Sequence, residues 1–431
     1  MVGGAPNASE ADELTYRGDS FICGAAIHAG VLQDSNGGCG VLSLVGEKSS
    51  YGAVTRNGIA SVGFDSNFPL SFAFNRSEQV VGAAGQCRDP RWNLLALSIV
   101  MTCVFSLFTS HPATFFAPVF VITYFQVAMA SDPPSCNDYP SLAATALGNF
   151  LPAAFIAYVM YRISIRRTLH GLRAQIEKTI LWVGGCWVGA LSNITLDKIP
   201  INRLTPHDLK QQPGAITALV FIVLVIAAIA IHQASCYRIE GRLLRLLAIY
   251  AVLGISLGIL SAVPGLDLRI HHYILGLLLL PGTALQTRPS LLYQGLLVGL
   301  FINGIARWGF ASVLQTAAAL RGDAQLATGV IPSILTPLIN ATNITFTWDG
   351  LARGYEGVSV LVNDVERFRG FPEDGDTSFT WTRRAAENLP EFFRFGFVNY
   401  MPFGGVSYSD FTKAGIWWGN GTWVDMPPGI T

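Results

Sequence analysis

The residues that could carry catalysis or bind a cofactor are few, and the histidines come first. His28 lies in a short apolar run and could act as a general base if it faced a cleft. His111, His232 and the pair His271-His272 invite a haem site, because some membrane cytochromes hold haem between histidines on facing helices. These four lie at the ends of predicted helices, whereas such haem sites need deeper histidines. We therefore predict structural roles for the histidines and no cofactor.

A short acidic turn is the other place where chemistry could arise. Glu373, Asp374 and Asp376 offer the oxygen ligands that Ca²⁺ prefers. They lie in Pro-Glu-Asp-Gly-Asp, which is first of all a turn sequence. The formal net charge of zero gives no indication of nucleic-acid binding. The sequence predicts no catalytic residue, no metal and no nucleic-acid partner.

Covalent modification is a third kind of chemistry that the residues allow. Glycan acceptor triplets Asn-X-Ser/Thr begin at Asn7, Asn75, Asn193, Asn340, Asn343 and Asn420. Asn193 is expected to lie too close to a membrane to be modified. The other five are predicted glycosylation sites, which requires them to face the lumen or the exterior.

The chain that positions these residues has the composition of a polytopic membrane protein. Hydrophobic residues make up 51% of it, charged residues 13%, and the mean hydropathy is +0.42. A helix needs roughly 17–25 apolar residues to cross a bilayer. Eight blocks approach this length, at about 93–109, 114–130, 142–161, 179–196, 214–233, 246–263, 273–287 and 290–307. The seventh is broken by Pro281-Gly282 and suits a re-entrant segment equally well.

Basic residues cluster in alternate loops of this core. Five Lys or Arg residues lie in loop 162–178 and three in loop 238–245, whereas loop 131–140 has none. Because Lys and Arg translocate reluctantly, the basic loops are predicted to be cytoplasmic. Both flanking soluble parts are then predicted to face the lumen or the exterior.

Polar residues inside the predicted helices are scarce. Asn149, Asn193 and Asn303 are the exceptions, and no Asp, Glu or Lys lies in the middle of a helix. Buried ionisable groups usually accompany transport paths, so their scarcity disfavours a transporter. Small residues recur in the steps Gly185 to Gly189, Gly254 to Gly258 and Gly295 to Gly299, which favour close helix packing, either within the chain or between copies.

The N-terminal part alternates turns with short apolar runs. Residues 21–32 are predicted to form a helix with an apolar stripe, and residues 41–45 a strand. Arg56-Asn57-Gly58 predicts a turn, and the alternation Leu70, Phe72, Phe74 predicts a closing strand.

This part resembles an LCCL domain over about 60 of the 431 residues. The resemblance rests on Tyr16, Asp19, Ser20, Ile22, Cys23, Ala25, Ala26, Ile27, His28, Ala29, Gly30 and Val31, with Gly37-Gly38, Asn57-Gly58-Ile59, Ser61, Phe72 and Phe74 following. In architecture the whole chain is similar to the polytopic LCCL-domain proteins of fungi.

The resemblance implies a compact α+β module in which strands wrap a central helix and disulfides form in an oxidising compartment. In the family, cysteines and a first strand precede the Tyr-x-x-Asp-Ser run, and the partner of Cys23 lies among them. Their absence ahead of Tyr16 predicts an N-terminally truncated module. A module of this size depends on its cross-links.

The seven cysteines divide by location. Those on the predicted lumenal side, which could pair, are Cys23, Cys39, Cys87 and Cys136. Cys23 with Cys39 is the nearest option within the module, although the sequence does not fix the pairing. The three in or beside the core, Cys103, Cys186 and Cys236, are predicted to be reduced.

The C-terminal part changes to short alternating runs. Strand patterns occur at 344–348, 358–362, 379–381 and 393–397, at roughly even spacing. They predict a small β-sandwich. The fold class is therefore an all-α membrane core of about eight helices with an α+β LCCL domain and a small β-sandwich-like domain at its ends.

The predicted domains are the LCCL domain at 1–86, the transmembrane core at 93–307, a linker at 308–342 and the β-rich domain at 343–431. The favoured function is a non-enzymatic, multi-pass protein of the plasma membrane or an endomembrane that displays the LCCL module outside or in the lumen. The resemblance suggests a glycolipid, a polysaccharide or an extracellular matrix protein as ligand.

The alternative is a transporter or channel regulated by its lumenal domains, because eight helices exceed what an anchor requires. A polar cavity near Asn149 or Asn303 would favour transport, and a dry, tightly packed bundle would favour display.

Overall fold

The computed structural model describes residues 1–5, 14–33, 37–75, 89–132, 138–201, 209, 213–316, 329–383, 388–400 and 406–431. It divides into two compact units. The terminal unit joins both ends of the chain, Met1–Asp89 and Asp323–Thr431, and the helical unit is Pro90–Gly322. The two parts predicted from the sequence as separate soluble domains therefore share one unit.

The described residues of the N-terminal module of the terminal unit form one helix and seven short strands. They are β1 (Thr15–Arg17), α1 (Ile22–Ala29), β2 (Val41–Leu44), β3 (Lys48–Tyr51), β4 (Thr55–Arg56), β5 (Ile59–Ala60), β6 (Phe64–Phe68) and β7 (Ser71–Asn75). A three-stranded antiparallel sheet has the order β1-β7-β2, and β3 pairs with β6 and β4 with β5.

Helix α1 is shorter than the predicted 21–32 segment. Gly30 takes a left-handed conformation with φ of 77°, and its N–H closes on the carbonyl of Ile27. This backbone geometry suits glycine and ends the helix at Ala29. The buried alanines of α1 pack on Tyr16, Phe72 and Phe74 of the sheet, which forms the core of the module.

The turn predicted at Arg56-Asn57-Gly58 is present between β4 and β5. Asn57 and Gly58 both have positive φ, as a tight hairpin turn requires. Ahead of β1, Val2 bridges to Val62 and Gly3 to Tyr16, so an extended segment does precede the Tyr16 run. Truncation of the module stays a prediction.

The C-terminal domain of the terminal unit consists of two antiparallel sheets. Its strands are β10 (Leu338–Ile339), β11 (Asn343–Thr347), β12 (Gly357–Val362), β13 (Val365–Gly370), β14 (Ser378–Thr382), β15 (Glu391–Tyr400), β16 (Val406–Tyr408), β17 (Gly415–Trp417) and β18 (Trp423–Val424). One sheet has the order β10-β11-β14, and the other the order β13-β12-β15-β17-β18 with β16 paired to β15.

Alternation along β15 explains how the two sheets meet. Phe393, Phe395 and Phe397 are buried and pack against Phe346 of the facing sheet. Phe392, directly before Phe393, points to the opposite side of its sheet. The domain extends beyond the predicted start at 343, since β10 belongs to the first sheet and Ile334 bridges to Trp348.

The helical unit has six helices long and apolar enough to cross a membrane among the residues that the structure describes. They are α2 (Arg91–Phe108), α3 (Pro112–Ala130), α4 (Tyr139–Leu169), α7 (Ala215–Ile239), α8 (Leu243–Ser261) and α10 (Arg288–Trp308). A short β8 (Asp267–Leu268) pairs with β9 (Leu314–Gln315), which lies in the predicted linker.

Two of the eight predicted crossings are interrupted helices. The fourth is a π-helical segment, Lys178–Val183, continued by α5 (Gly184–Ala190) and a short α6 (Ser192–Thr195). The seventh is α9 (His272–Leu279), which tightens into a 3-10 turn at Leu280–Thr283 where Pro281 cannot supply a helical N–H.

Glycines bring the fourth segment directly against α10. A β-carbon on Gly295 would collide with the carbonyl oxygen of Trp182, and one on Gly299 with that of Cys186. The small residues therefore let two backbones touch. By contrast, no other described segment has an atom within 4 Å of the position that a β-carbon would take on Gly254 or Gly258 of α8.

Candidate functional site

The LCCL signature residues build a hydrogen-bonded cluster around α1. His28 is fully buried, with Nδ1 2.7 Å from the Tyr16 hydroxyl and Nε2 3.0 Å from the carbonyl of Val54. Because a carbonyl only accepts, Nε2 carries the proton and Nδ1 accepts from Tyr16. Both ring nitrogens are satisfied, so His28 joins α1, β1 and the β4 region as a structural histidine.

The other signature residues support the same frame. The Asn57 amide donates to the carbonyls of Ile27 and His28, both at 3.1 Å, and so completes the end of α1. The Ser20 hydroxyl accepts from the N–H of Val2 at 3.0 Å. Gly30 and Gly58 supply the two left-handed turns described above. These residues position the fold rather than converge on a cleft.

Cys23 stands apart from this cluster. Its thiol is exposed and free, so the nearest pairing option offered by the sequence, Cys23 with Cys39, does not form. Cys103, Cys186 and Cys236 are also free. Cys87 and Cys136 lie outside the described residues.

An exposed apolar end is the most distinctive surface of the module. Phe21 is 84% exposed and Leu44 69%, and three further large apolar residues at this end, Ile22, Val45 and Leu70, are also exposed. Backbone hydrogen bonds hold Val45 beside Ser71 and Gly18 beside Leu70, so Leu44, Val45 and Leu70 lie at the end of the sheet from which the chain continues to Phe21 and α1. Apolar groups of this size left in solvent mark interaction surfaces more often than structural ones.

Arg17, which the sequence interpretation did not single out, links the module to the C-terminal domain. Its guanidinium is nearly buried, bonds both carboxylate oxygens of Asp19 and reaches Asp364 at 3.1 Å. Burial lowers the pKa of Arg17, but the hydrogen bonds and charges of Asp19 and Asp364 outweigh it and raise the pKa above its ordinary value. The cation is thus permanent.

A buried polar cluster in the helical unit centres on Gln294. Its Oε1 accepts from the Trp182 indole at 3.0 Å, and its Nε2 donates to Ser164 and Thr168 at 3.0 and 2.9 Å. Sequence interpretation named the three asparagines and overlooked this glutamine, although a polar residue inside an apolar helix was the same signal.

The unwound segment after α9 is held by side chains of α4, α7 and α8. Ser164 donates to the carbonyl of Leu280, Tyr237 to that of Pro281 and Tyr250 to that of Leu279. These bonds give partners to carbonyl groups that the unwound backbone leaves without helical N–H donors.

The asparagines singled out from the sequence lie at the other end of α10. Asn303 donates to the carbonyl of Ala190 and to the side chain of Asn193, each at 2.8 Å. The Asn193 amide nitrogen in turn donates to Asp132 at 2.8 Å. The side chain of Asn149 lies against Gly309.

One motif was missed at the sequence level. Gly254-Ile-Ser256-Leu-Gly258 has the letters of a hydrolase nucleophile elbow, which requires a sharp strand-to-helix turn. Here the five residues lie within α8, and the Ser256 hydroxyl donates to the carbonyl of Val252 one turn earlier. The context for a nucleophile is not met.

Polar groups of the C-terminal domain form a structural network. Glu366 accepts from Ser359, Arg369 and Tyr408, at 2.7 to 3.1 Å. Burial raises the pKa of Glu366, but these hydrogen bonds outweigh it and leave the pKa below its ordinary value. The acidic turn is a 3-10 turn at Pro372–Asp374, with Asp376 accepting from the N–H of Phe371.

The predicted glycan acceptors differ in accessibility. Asn420 is exposed, and its Oδ1 accepts from both the N–H and the hydroxyl of Thr422 in the same triplet. Asn340 is also exposed, whereas the Oδ1 of Asn343 is buried at the start of β11. Asn7 lies outside the described residues, as does the side chain of Asn75.

Comparison with known proteins places the signature in context. The LCCL domain family matches residues 2–71. Over 470 aligned positions the chain is 33% identical to the uncharacterized protein YIL067C of Saccharomyces cerevisiae, a match that covers 100% of this chain and 67% of that protein. No solved structure matches the chain. The family match falls on the module that contains Tyr16 and His28.

Proposed function

The chain belongs to the LCCL-domain proteins, and on that premise we propose that it is a non-enzymatic, multi-pass membrane protein that displays its LCCL module for binding on the extracellular or lumenal side. The family resemblance suggests a glycolipid, a polysaccharide or an extracellular matrix protein as ligand. The observation that carries the proposal is the exposed apolar end of the module around Phe21 and Leu44. An amphiphilic ligand suits it best.

Contacts between helices favour eight crossings, the six long helices and the two interrupted segments. Trp182 bonds Gln294 and Ala190 bonds Asn303, so the fourth segment runs parallel to the eighth. Gly276 lies against Leu297, near the middle of α10.

Contacts between other segments also fit helices that alternate in direction across the membrane. Ser164 and Thr168 bond the carbonyls of Leu280 and Thr283, so the third segment runs parallel to the seventh. Tyr273 lies against Gly304 whereas the 3-10 turn lies near Gln294, so the seventh is antiparallel to the eighth. An even number of crossings returns both chain ends to one side, as a single terminal unit requires.

Charge supports the orientation. Arg288 pairs with Glu177 at 2.6 Å, and Gln286 donates to the carbonyl of His170 at 2.6 Å. Arg242 donates to the carbonyl of Ala284, so both basic loops meet the turn before α10 at one end of the helical unit. Arg307 and Asp132 pair at the other end, where α10 finishes. By the positive-inside rule the basic end is cytoplasmic.

Display is favoured over transport by the way polar groups are used. The amides of Gln294 and Asn303 donate to protein oxygens, and so do the hydroxyls around the unwound segment. Groups committed to one another in this way stabilise a fixed bundle. A substrate path would instead require groups that can exchange protein partners for solute.

The binding test uses the full chain in lipid nanodiscs against vesicles containing a lipid A-type glycolipid and against β-glucan. Replacing Phe21 and Leu44 by Ser should weaken binding at least tenfold, since each fully buried large apolar side chain contributes about 1.5–3 kcal/mol. Tyr400→Ser, which changes an exposed aromatic residue of the C-terminal domain, should leave binding unchanged. Failure of the wild-type chain to bind any probe, with solute uptake in reconstituted vesicles, would replace display by transport.

A further inference from the structure

We infer that the C-terminal domain is a built-in docking partner of the LCCL module, and that the turn carrying Asp364 fastens the two together. The inference shares with the proposed function only the premise that both parts lie on one side of the membrane. It makes no use of a ligand, so it stands or falls separately from binding.

The docking face on the module is formed by β1 and β6. The Arg17 guanidinium lies 4.7 Å from the ring centre of Phe64 and 4.7 Å from that of Phe68. Two aromatic faces and the Asp19 carboxylate therefore fix the cation in one position. A fixed cation recognises a carboxylate with little loss of side-chain entropy.

The C-terminal domain presents a matching carboxylate on a rigid support. Asn363 and Asp364 both have positive φ in the tight turn between β12 and β13. Asn363 is buried, and its side chain accepts from the N–H of Phe392. The position of Asp364 is thus set by its own domain and does not depend on Arg17.

Charged and apolar contacts both connect the module to the C-terminal domain across this boundary. Asp364 lies 3.1 Å from Arg17 and 3.4 Å from Arg394, so positive and negative groups alternate from Asp19 to Arg394. Beside them Phe64 packs on Phe392, with ring centres 5.5 Å apart. Phe392 points away from the core of its own domain, which leaves its ring available for this contact.

Each side also keeps a counter-ion of its own. Arg17 retains Asp19 and Asp364 retains Arg394 when the two parts separate, so separation strands no buried charge. The contact is therefore one that can open and close, and salt should weaken it because Asp364 is partly exposed.

The test introduces a specific protease site between residues 317 and 328 of the full-length protein, with affinity tags at both termini. After cleavage, the C-terminal fragment should remain bound to the rest of the chain and should dissociate faster as salt is raised. Asp364→Asn keeps a residue that tolerates the left-handed turn and removes only the charge.

With Asp364→Asn we expect dissociation about five- to tenfold faster and a weaker salt dependence, in line with the loss of one charged pair. Asp364→Asn with Phe392→Ser should release the fragment, and Asp349→Asn is the matched control. Prompt release of the wild-type fragment, or equal retention of the wild type and the double variant, would overturn the inference.

Discussion

Gln294 is the side chain on which the polar contacts of the helical unit converge. One amide group connects α10 to the fourth segment through Trp182 and to α4 through Ser164 and Thr168. It is fully buried, so each lost hydrogen bond leaves an unpaired polar group without water to replace the partner.

Replacing Gln294 by Leu should therefore destabilise the protein although Leu has a similar volume. We expect a loss of about 1–2 kcal/mol, the scale of hydrogen bonds between membrane helices, measured as a lower thermal midpoint in detergent. Gln286→Leu, which removes one solvent-exposed hydrogen bond to the carbonyl of His170, is the control and should shift the midpoint less, because water replaces the lost partner there. Equal midpoints for both variants would show that the Gln294 network has no net stabilising effect.

Glycosylation should depend on whether the acceptor amide is free. Asn420 is exposed in a turn that holds the Thr422 hydroxyl beside it, whereas the Asn193 amide nitrogen is committed to Asp132. Asn420→Gln should lower the apparent mass by one glycan on a gel, and enzymatic deglycosylation should abolish the difference. Asn193→Gln should leave the mass unchanged, and a shift there would contradict the prediction that Asn193 lies too close to the membrane to be modified.

At this scale the sequence predicts residue types better than partners. Tyr16 and His28 were identified because the family run contains both, and His28 was predicted to be a satisfied structural histidine. Their hydrogen bond could not be derived, since it depends on α1 packing across β1. Gln294 was overlooked because its partners come from segments more than 100 residues earlier in the chain.

Packing of the fourth segment against α10 is the central contact between elements of the helical unit. It requires glycine at four positions, because carbonyl oxygens of one helix occupy the places of β-carbons on the other. The Gly-x-x-x-Gly step of α8 has no such partner among the residues that the structure describes. Two of the three steps found in the sequence therefore serve intramolecular packing.

Gly299→Ala should separate these two helices and destabilise the protein. Its β-carbon would meet the carbonyl of Cys186 and the N–H of Ala190, and overpacking of this kind costs about 1–3 kcal/mol. Gly258→Ala is the matched control, and it should be neutral or slightly stabilising, since alanine is the better helix former. Thermal midpoints in the same detergent compare the two, and a larger loss for Gly258→Ala would refute the packing assignment.

Helices and strands were predictable where a single hydrophobic period dominates the sequence. Hydropathy located the long helices, and alternation located β11, β12, β14 and β15. The π-helical Lys178–Val183 segment and the break after α9 were not predictable in form. Their backbones depart from the α-helix because partners such as Ser164, Tyr237 and Tyr250 satisfy the groups set free.

The whole molecule is organised by the meeting of its two ends in the terminal unit. No local pattern predicts that Arg17 pairs with a residue 347 positions away. The sequence did predict, from charge bias in the loops, that both soluble parts lie on one side. That prediction of side remains to be measured.

Tags on Met1 and Thr431 should behave alike in sealed vesicles. With an even number of crossings, both tags are protected from added protease or both are cleaved, whereas a tag in loop 170–173 gives the opposite result. Digestion before and after permeabilisation, followed by blotting, provides the comparison. Opposite fates for the two terminal tags would mean an odd number of crossings and would separate the ends that the terminal unit joins.

The pairing of Arg17 with Asp364 also implies a delay during biosynthesis. At about 5–20 residues per second, the ribosome needs roughly 20–70 seconds to produce the 347 residues that separate the two. During that interval the Phe64 ring of the nascent LCCL module lacks its partner Phe392. Chains that terminate before Phe392 never cover this ring, so chaperones that recognise exposed aromatic residues can distinguish a finished chain from an incomplete one.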